Sequence, residues 1–103
     1  MSQKISIKQG DSFTVEETIT GIVSLDGYTA KLYIKTTEGT EVDTITGIIA
    51  NLVITYEALN ERTRSYPVGG HEFETKVFDI NDHVFTPSDG SFIVEKALIN
   101  NPV

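Results

Sequence analysis

Apolar and polar residues alternate along this chain from one end to the other, and turn signals break the alternation about every 8–12 residues. A period of two sends successive side chains to opposite faces of an extended backbone, so each such run predicts a short strand with one face buried. Ile5 and Ile7 alternate with Ser6 and Lys8, and Gly10-Asp11 punctuates. Phe13, Val15 and Ile19 follow with Thr14, Glu16 and Thr18 between them, then the turn Leu25-Asp26-Gly27. The clearest strand is Tyr28 to Lys35, with Tyr28, Ala30, Leu32 and Ile34 on one face and Thr29, Lys31, Tyr33 and Lys35 on the other. Later strands are expected at Val42–Thr46, Leu52–Tyr56, His71–Phe78, Val84–Phe85 and Ser91–Leu98. Asn81-Asp82 and Pro87-Ser88-Asp89-Gly90 supply the last turns.

One segment departs from this rhythm. Glu57, Ala58, Leu59, Glu61 and Arg62 favour a helix but are too few for a stable isolated one, so Glu57–Arg64 predicts a short helical crossover between sheets. Strands do not alternate with helices as a parallel sheet requires. The expected fold is therefore all-β: a single antiparallel immunoglobulin-like sandwich of about 7–8 short strands, filling residues 1–103 as one domain with Asn100–Val103 as a frayed tail. Leu32, Ile54, Phe73 and Phe92 are its expected core. Alanine at any of them should cost about 2–5 kcal/mol, and an unchanged thermal melt of Phe73→Ala would contradict the assignment.

Charge and composition narrow the function. Eight basic against 15 acidic residues give a net charge of −7, the wrong sign for gripping nucleic acid or an anionic membrane. There are no cysteines for a disulfide framework, a zinc ribbon or a thiol nucleophile. The alternating N-terminus is not a signal peptide, and no run approaches the ~18 apolar residues of a membrane span, so synthesis in the cytoplasm is expected.

The usual chemical constellations find weak matches. His71 lies beside Glu72 and Glu74, but alternation sends both glutamates to the opposite face, so His71 reads as structural. Asp79-x-Asn81 has the spacing of a calcium loop, yet the sixth and twelfth positions, which need Gly and Glu, hold Val84 and Gly90. Asp79, Asn81, Asp82 and His83 are thus read as a hairpin turn. Glu16 and Glu17 point to opposite faces and cannot converge as an acid–base pair, and Glu72 and Glu74 read as a solvated face. No nucleophile elbow or phosphate loop is present. No catalytic, cofactor or metal residue is assigned. Tyr33 and Phe78, on outer faces, are the candidate protein interface, with self-association as the expectation to be tested by Tyr33→Glu.

Several segments together resemble a known family. They are Ile7–Phe13 with Gly10-Asp11, Tyr28–Ile34, Leu52–Tyr56 with the helical turn after it, Tyr66–Glu74, and Phe85–Val94 with its Gly90-Ser91-Phe92-Ile93-Val94 ending. Their order is similar to the immunoglobulin-like N-terminal module of phage baseplate upper proteins and related minor virion proteins, over roughly Ile5 to Val94. The resemblance implies a non-enzymatic structural protein of a tailed phage or prophage, located in the virion, in a tail, baseplate or head accessory position. Its implied partners are other virion proteins and further copies of itself, with no cofactor and no small-molecule substrate. Baseplate upper proteins continue into further domains whereas this sequence stops, so a stand-alone virion component or an accessory protein of a phage or prophage is expected. The alternative is an adhesion module that binds carbohydrate or protein through loops such as Asp26-Gly27, Asp79–His83 and Ser88–Gly90.

Overall fold

The computed structural model describes residues 2–97, and the expected strand end at Leu98 and tail Asn100–Val103 lie outside the described residues. Nine strands and one helical turn follow in the order β1 (Ser2–Lys8), β2 (Phe13–Thr18), β3 (Thr29–Thr36), β4 (Glu41–Thr46), β5 (Ile48–Ala50), β6 (Val53–Ala58), α1 (Asn60–Thr63), β7 (Gly69–Phe78), β8 (Val84–Phe85) and β9 (Asp89–Glu95). The larger sheet has the order β1-β9-β7-β3-β4, with β8 pairing β7, and the smaller has the order β2-β6-β5. This is an all-β, immunoglobulin-like sandwich with the expected crossover.

Three expectations need correction. The sheets are not wholly antiparallel, because β1 runs parallel to β9 from Ser2↔Asp89 to Lys8↔Glu95. A parallel pair needs a long connection, and here nearly the whole domain lies between the two strands, so no crossover helix is required. The helix is also shorter than Glu57–Arg64. Glu57 and Ala58 stay in β6, paired to Thr14 and Phe13, so ladder bonds outweigh helix propensity there. Leu59 at the N-cap offers no side-chain bond, and α1 closes after one turn. Finally, β5 had no clear alternation to reveal it: Ile48 and Ile49 are adjacent, and Ile48 faces solvent.

The core forms where alternation places it. Leu32, Ile54 and Phe92 are fully buried and Phe73 is 3% exposed. Phe92 is the centre of an aromatic cluster, edge-on to Phe13 at 5.3 Å and to Tyr66 at 6.1 Å. The crossover is fastened from below: Thr63 Oγ1 donates to the Asp11 carbonyl at 2.8 Å, and Gln9 Nε2 donates to the Tyr66 carbonyl at 2.8 Å. These bonds give the Gly10-Asp11 turn a structural role. Its Asp11 N–H closes on the Lys8 carbonyl at 2.9 Å, with Gly10 at φ +90°.

The strand directions define two ends. At one lie residues 19–28 and the β7–β8 hairpin; at the other lie the Lys8–Asp11 turn, the β3–β4 turn and the crossover from Leu59 to Val68.

Candidate functional site

Two inward-facing carboxylates organise the polar interior. Glu17 is on β2 in phase with Phe13 and Val15, so the pleat turns it toward the opposite sheet. It accepts three hydroxyl hydrogen bonds: from Tyr56 at 3.1 Å, Thr75 at 3.2 Å and Ser88 at 2.6 Å. Tyr56 belongs to the smaller sheet and Thr75 to the larger, so this one carboxylate ties the two layers together. Glu17→Ala should lower stability by about 2–3 kcal/mol, because the fully buried hydroxyls of Tyr56 and Thr75 lose a charged acceptor. Urea unfolding would measure this. The double variant Glu17→Ala/Tyr56→Phe should be less destabilised than the sum of its parts, since the orphaned phenol is then gone.

The second carboxylate is Asp43 on β4, in phase with the buried Ile45. Arg62 from α1 grips it in a fork, Nε to Oδ2 at 2.6 Å and a terminal nitrogen to Oδ1 at 3.0 Å, and also donates to the Thr44 carbonyl at 2.8 Å. Tyr66 OH donates to Asp43 Oδ2, and the Thr44 N–H donates to Oδ1 at 2.8 Å. Partial burial pushes the Asp43 carboxyl up, but the bonds from Arg62, Tyr66 and Thr44 together hold it below its ordinary value of 3.8. This cluster pins the crossover to the edge of the larger sheet.

Both core tyrosines are held in the neutral form. Burial raises the Tyr56 phenol well above its ordinary 10.0, helped by the charge of Glu17, and burial with the Asp43 hydrogen bond does the same for Tyr66. A raised folded value means that the unfolded chain releases these protons first. The resulting stability is complete below pH 10.0 and is lost as pH rises beyond it. The depressed Asp43 gives the opposite limb: its contribution is present above pH 3.8 and is lost as pH falls through its lower folded value. Urea midpoints across the pH range should therefore fall at alkaline pH in the wild type and fall less steeply in Tyr56→Phe and Tyr66→Phe. An unchanged alkaline limb in both variants would contradict this assignment.

The residues expected to form an interface are not brought into contact. Tyr33 and Phe78 do lie on the same outer face of neighbouring strands, but Tyr33 is paired with Glu74 and Phe78 with Thr29. They are four residues apart in register, about 13 Å, with the Lys31↔Lys76 row between them. They form two separate features, each half-buried, rather than one patch. Tyr33 lines a shallow concavity of about 430 Å³ with Lys35, Glu72, Glu74, Asp89 and Ser91. Phe78 instead neighbours Val84 at the hairpin end.

His71 is buried in β7, inside the sheet rather than at its edge, and its Nε2 donates to the Pro67 carbonyl at 2.7 Å. Asp79–His83 is the hairpin turn expected. Asp79 Oδ1 accepts the N–H groups of Asn81 at 2.8 Å and His83 at 2.9 Å, and Asp82 takes a φ of 63°. The His83 and Asn81 N–H bonds, together with the imidazole, lower the Asp79 pKa. Among the described residues, no group of three or more His, Asp or Glu side chains is placed to hold a metal ion, and no helix is long and apolar enough to cross a membrane. In the sequence Glu17 stands out only as half of the Glu16-Glu17 pair, and Asp43 belongs to no motif. Their signal was a charge standing in the apolar phase of a strand.

No protein-family model and no curated protein matches the chain. Solved structures do share its shape. One is CopC from Methylosinus trichosporium OB3b, with a TM-score of 0.59 and 17% identity, covering 95% of this chain and 89% of that one. Another is a set of fibronectin(III)-like modules of CbhA from Clostridium thermocellum, with a TM-score of 0.56 and 15% identity, covering 94% and 92%. At such low identity the likeness is one of fold alone: an all-β sandwich of the kind found in fibronectin(III)-like modules.

Proposed function

We propose that the protein is a non-enzymatic assembly module of a tailed phage or prophage particle, acting through contacts with other virion proteins and with copies of itself. The resemblance along Ile5–Val94 suggests this class. One structural observation supports it: both inward carboxylates, Glu17 and Asp43, are engaged by donors from distant parts of the chain. A carboxylate so enclosed stiffens the fold rather than trading protons in a cleft. A rigid sandwich with open sheet edges, exposed faces and shaped ends is suited to being a building block. The test is mass spectrometry of gradient-purified particles of the phage or prophage encoding the chain. Its peptides should co-purify at a fixed ratio to the major structural proteins, and their absence from intact particles would sink the reading.

The concavity around Tyr33 supports a second reading, an adhesion module that binds glycan or protein. An aromatic ring flanked by Lys35, Glu74, Asp89 and Ser91 offers a flat apolar surface with donors and acceptors around it. Chemical-shift titration with cellohexaose and chitohexaose would favour this reading if shifts centre on Tyr33 and vanish in Tyr33→Ala.

A further inference from the structure

The larger sheet ends in β1 on one side and β4 on the other. An edge strand presents unpaired N–H and C=O groups that another strand can take. β1 carries the exposed Lys4 and Lys8 along its edge, a common device against strand addition. β4 has neither lysine nor proline, and its Val42, Thr44, Ile45 and Thr46 all favour extended structure. By composition, β4 is the edge more open to a second strand.

Register shows which of its backbone groups face outward. The Gly47 N–H donates to the Ala30 carbonyl at 2.8 Å, so Ala30 and Gly47 form a hydrogen-bonded pair. Such pairs alternate with non-bonded ones along an antiparallel ladder. Leu32↔Ile45 and Ile34↔Asp43 are then bonded pairs, and Tyr33↔Thr44 is not. Both backbone groups of Thr44 therefore point away from β3, at the middle of the sheet edge. Neither is left open. The Thr44 N–H donates to Asp43 Oδ1 at 2.8 Å, and the Thr44 carbonyl accepts from Arg62 at 2.8 Å. Arg62 reaches it from α1 and is held there by its fork on Asp43, at 2.6 and 3.0 Å.

We infer that Arg62 and Asp43 form an edge guard: they occupy the outward hydrogen-bonding groups of Thr44 and so keep β4 from pairing with the β4 of a second copy. The single helical turn of the crossover thereby gains a second purpose, since it delivers Arg62 to the edge. The pairing it prevents is well defined. Two β4 strands meeting antiparallel about Thr44 place Thr44 on Thr44 and Asp43 opposite Ile45, so no two carboxylates face each other directly. Such a contact is isologous and closes at two chains. The guard acts on the single chain and does not depend on the assembly reading above.

Sedimentation equilibrium of Asp43→Asn/Arg62→Met over a rising concentration series tests this. Both charges leave together, so no buried ion is stranded, and the asparagine still accepts from Tyr66; melting curves should show a folded chain. The Thr44 carbonyl is then free and its N–H rests on a neutral acceptor. The association constant should rise about tenfold over the wild type, the worth of one net hydrogen bond. Adding Thr44→Pro should return the mass average to the wild-type value. Proline there removes an N–H that lies outside the β3 ladder but is needed for the edge pair. Should the double variant fail to fold, Arg62→Lys is read by the same criteria, since lysine keeps the ion pair but lacks the planar fork that spans Asp43 and the Thr44 carbonyl. A folded variant no heavier than the wild type overturns the inference, and so does association that survives Thr44→Pro.

Discussion

Truncating Phe92 to alanine is expected to lower the stability of this protein by about 3–5 kcal/mol. Phe92 is fully buried on β9 and contacts the rings of Phe13 on β2 and Tyr66 after the crossover. Its removal opens a cavity where rings from both sheets and the crossover meet. Those neighbours cannot collapse into the gap freely, because Tyr66 is held by Asp43 and Phe13 lies in the β2–β6 ladder. Two-state urea unfolding would measure the loss. A change below about 1 kcal/mol would show that Phe92 is not central to the core. Phe92→Leu, which keeps most of the volume, should recover more than half of the loss.

The second large effect is expected at Gly90, which permits β1 to lie against β9. Gly90 has a φ of +155°, and a Cβ built there would stand 1.8 Å from the Gln3 carbonyl oxygen and 2.5 Å from its nitrogen. Backbone cannot yield as a flexible side chain can. Gly90→Ala must therefore push β1 away from the sheet or move β9, losing the burial of Ile7 and much of that of Ile5. Each buried isoleucine contributes about 1.5–3 kcal/mol, so the expected cost is about 3 kcal/mol or more. Amide exchange should report the cause, with protection lost along Gln3–Lys8 while Leu32 and Ile54 stay protected. A variant with wild-type stability and a fully protected β1 would contradict the close approach.

How far these features were legible in the sequence depended on whether they follow from local periodicity. Leu32, Ile34, Phe73 and Phe92 stand in strict alternation within strands bounded by glycine turns, and such residues are buried whatever the partner strand is. The hairpin at Asp79–His83 was equally local, since Asp79 folds its own turn. Strand pairing is a matter of tertiary order, and nothing in Ile5 and Ile7 reveals that their strand runs parallel to one more than eighty residues away. The helix boundary is not legible locally, because Glu57 and Ala58 have helical propensity but find better hydrogen bonds in β6. Tyr33 and Phe78 were placed on the right face, yet their separation depends on register, which alternation does not specify. Glu17 shows what was readable in principle. A glutamate in phase with Phe13 and Val15 must find buried donors or break the strand, and Tyr56, Thr75 and Ser88 supply them from 39, 58 and 71 residues away.

The claim that the protein is a building block rather than a catalyst is tested most directly in the assembled particle. A reconstruction of the purified virion, at a resolution that separates strands, should show this sandwich as a symmetry-repeated density. Its surface should be in contact with neighbouring protein. A complete reconstruction in which every density is accounted for by other chains would contradict the account.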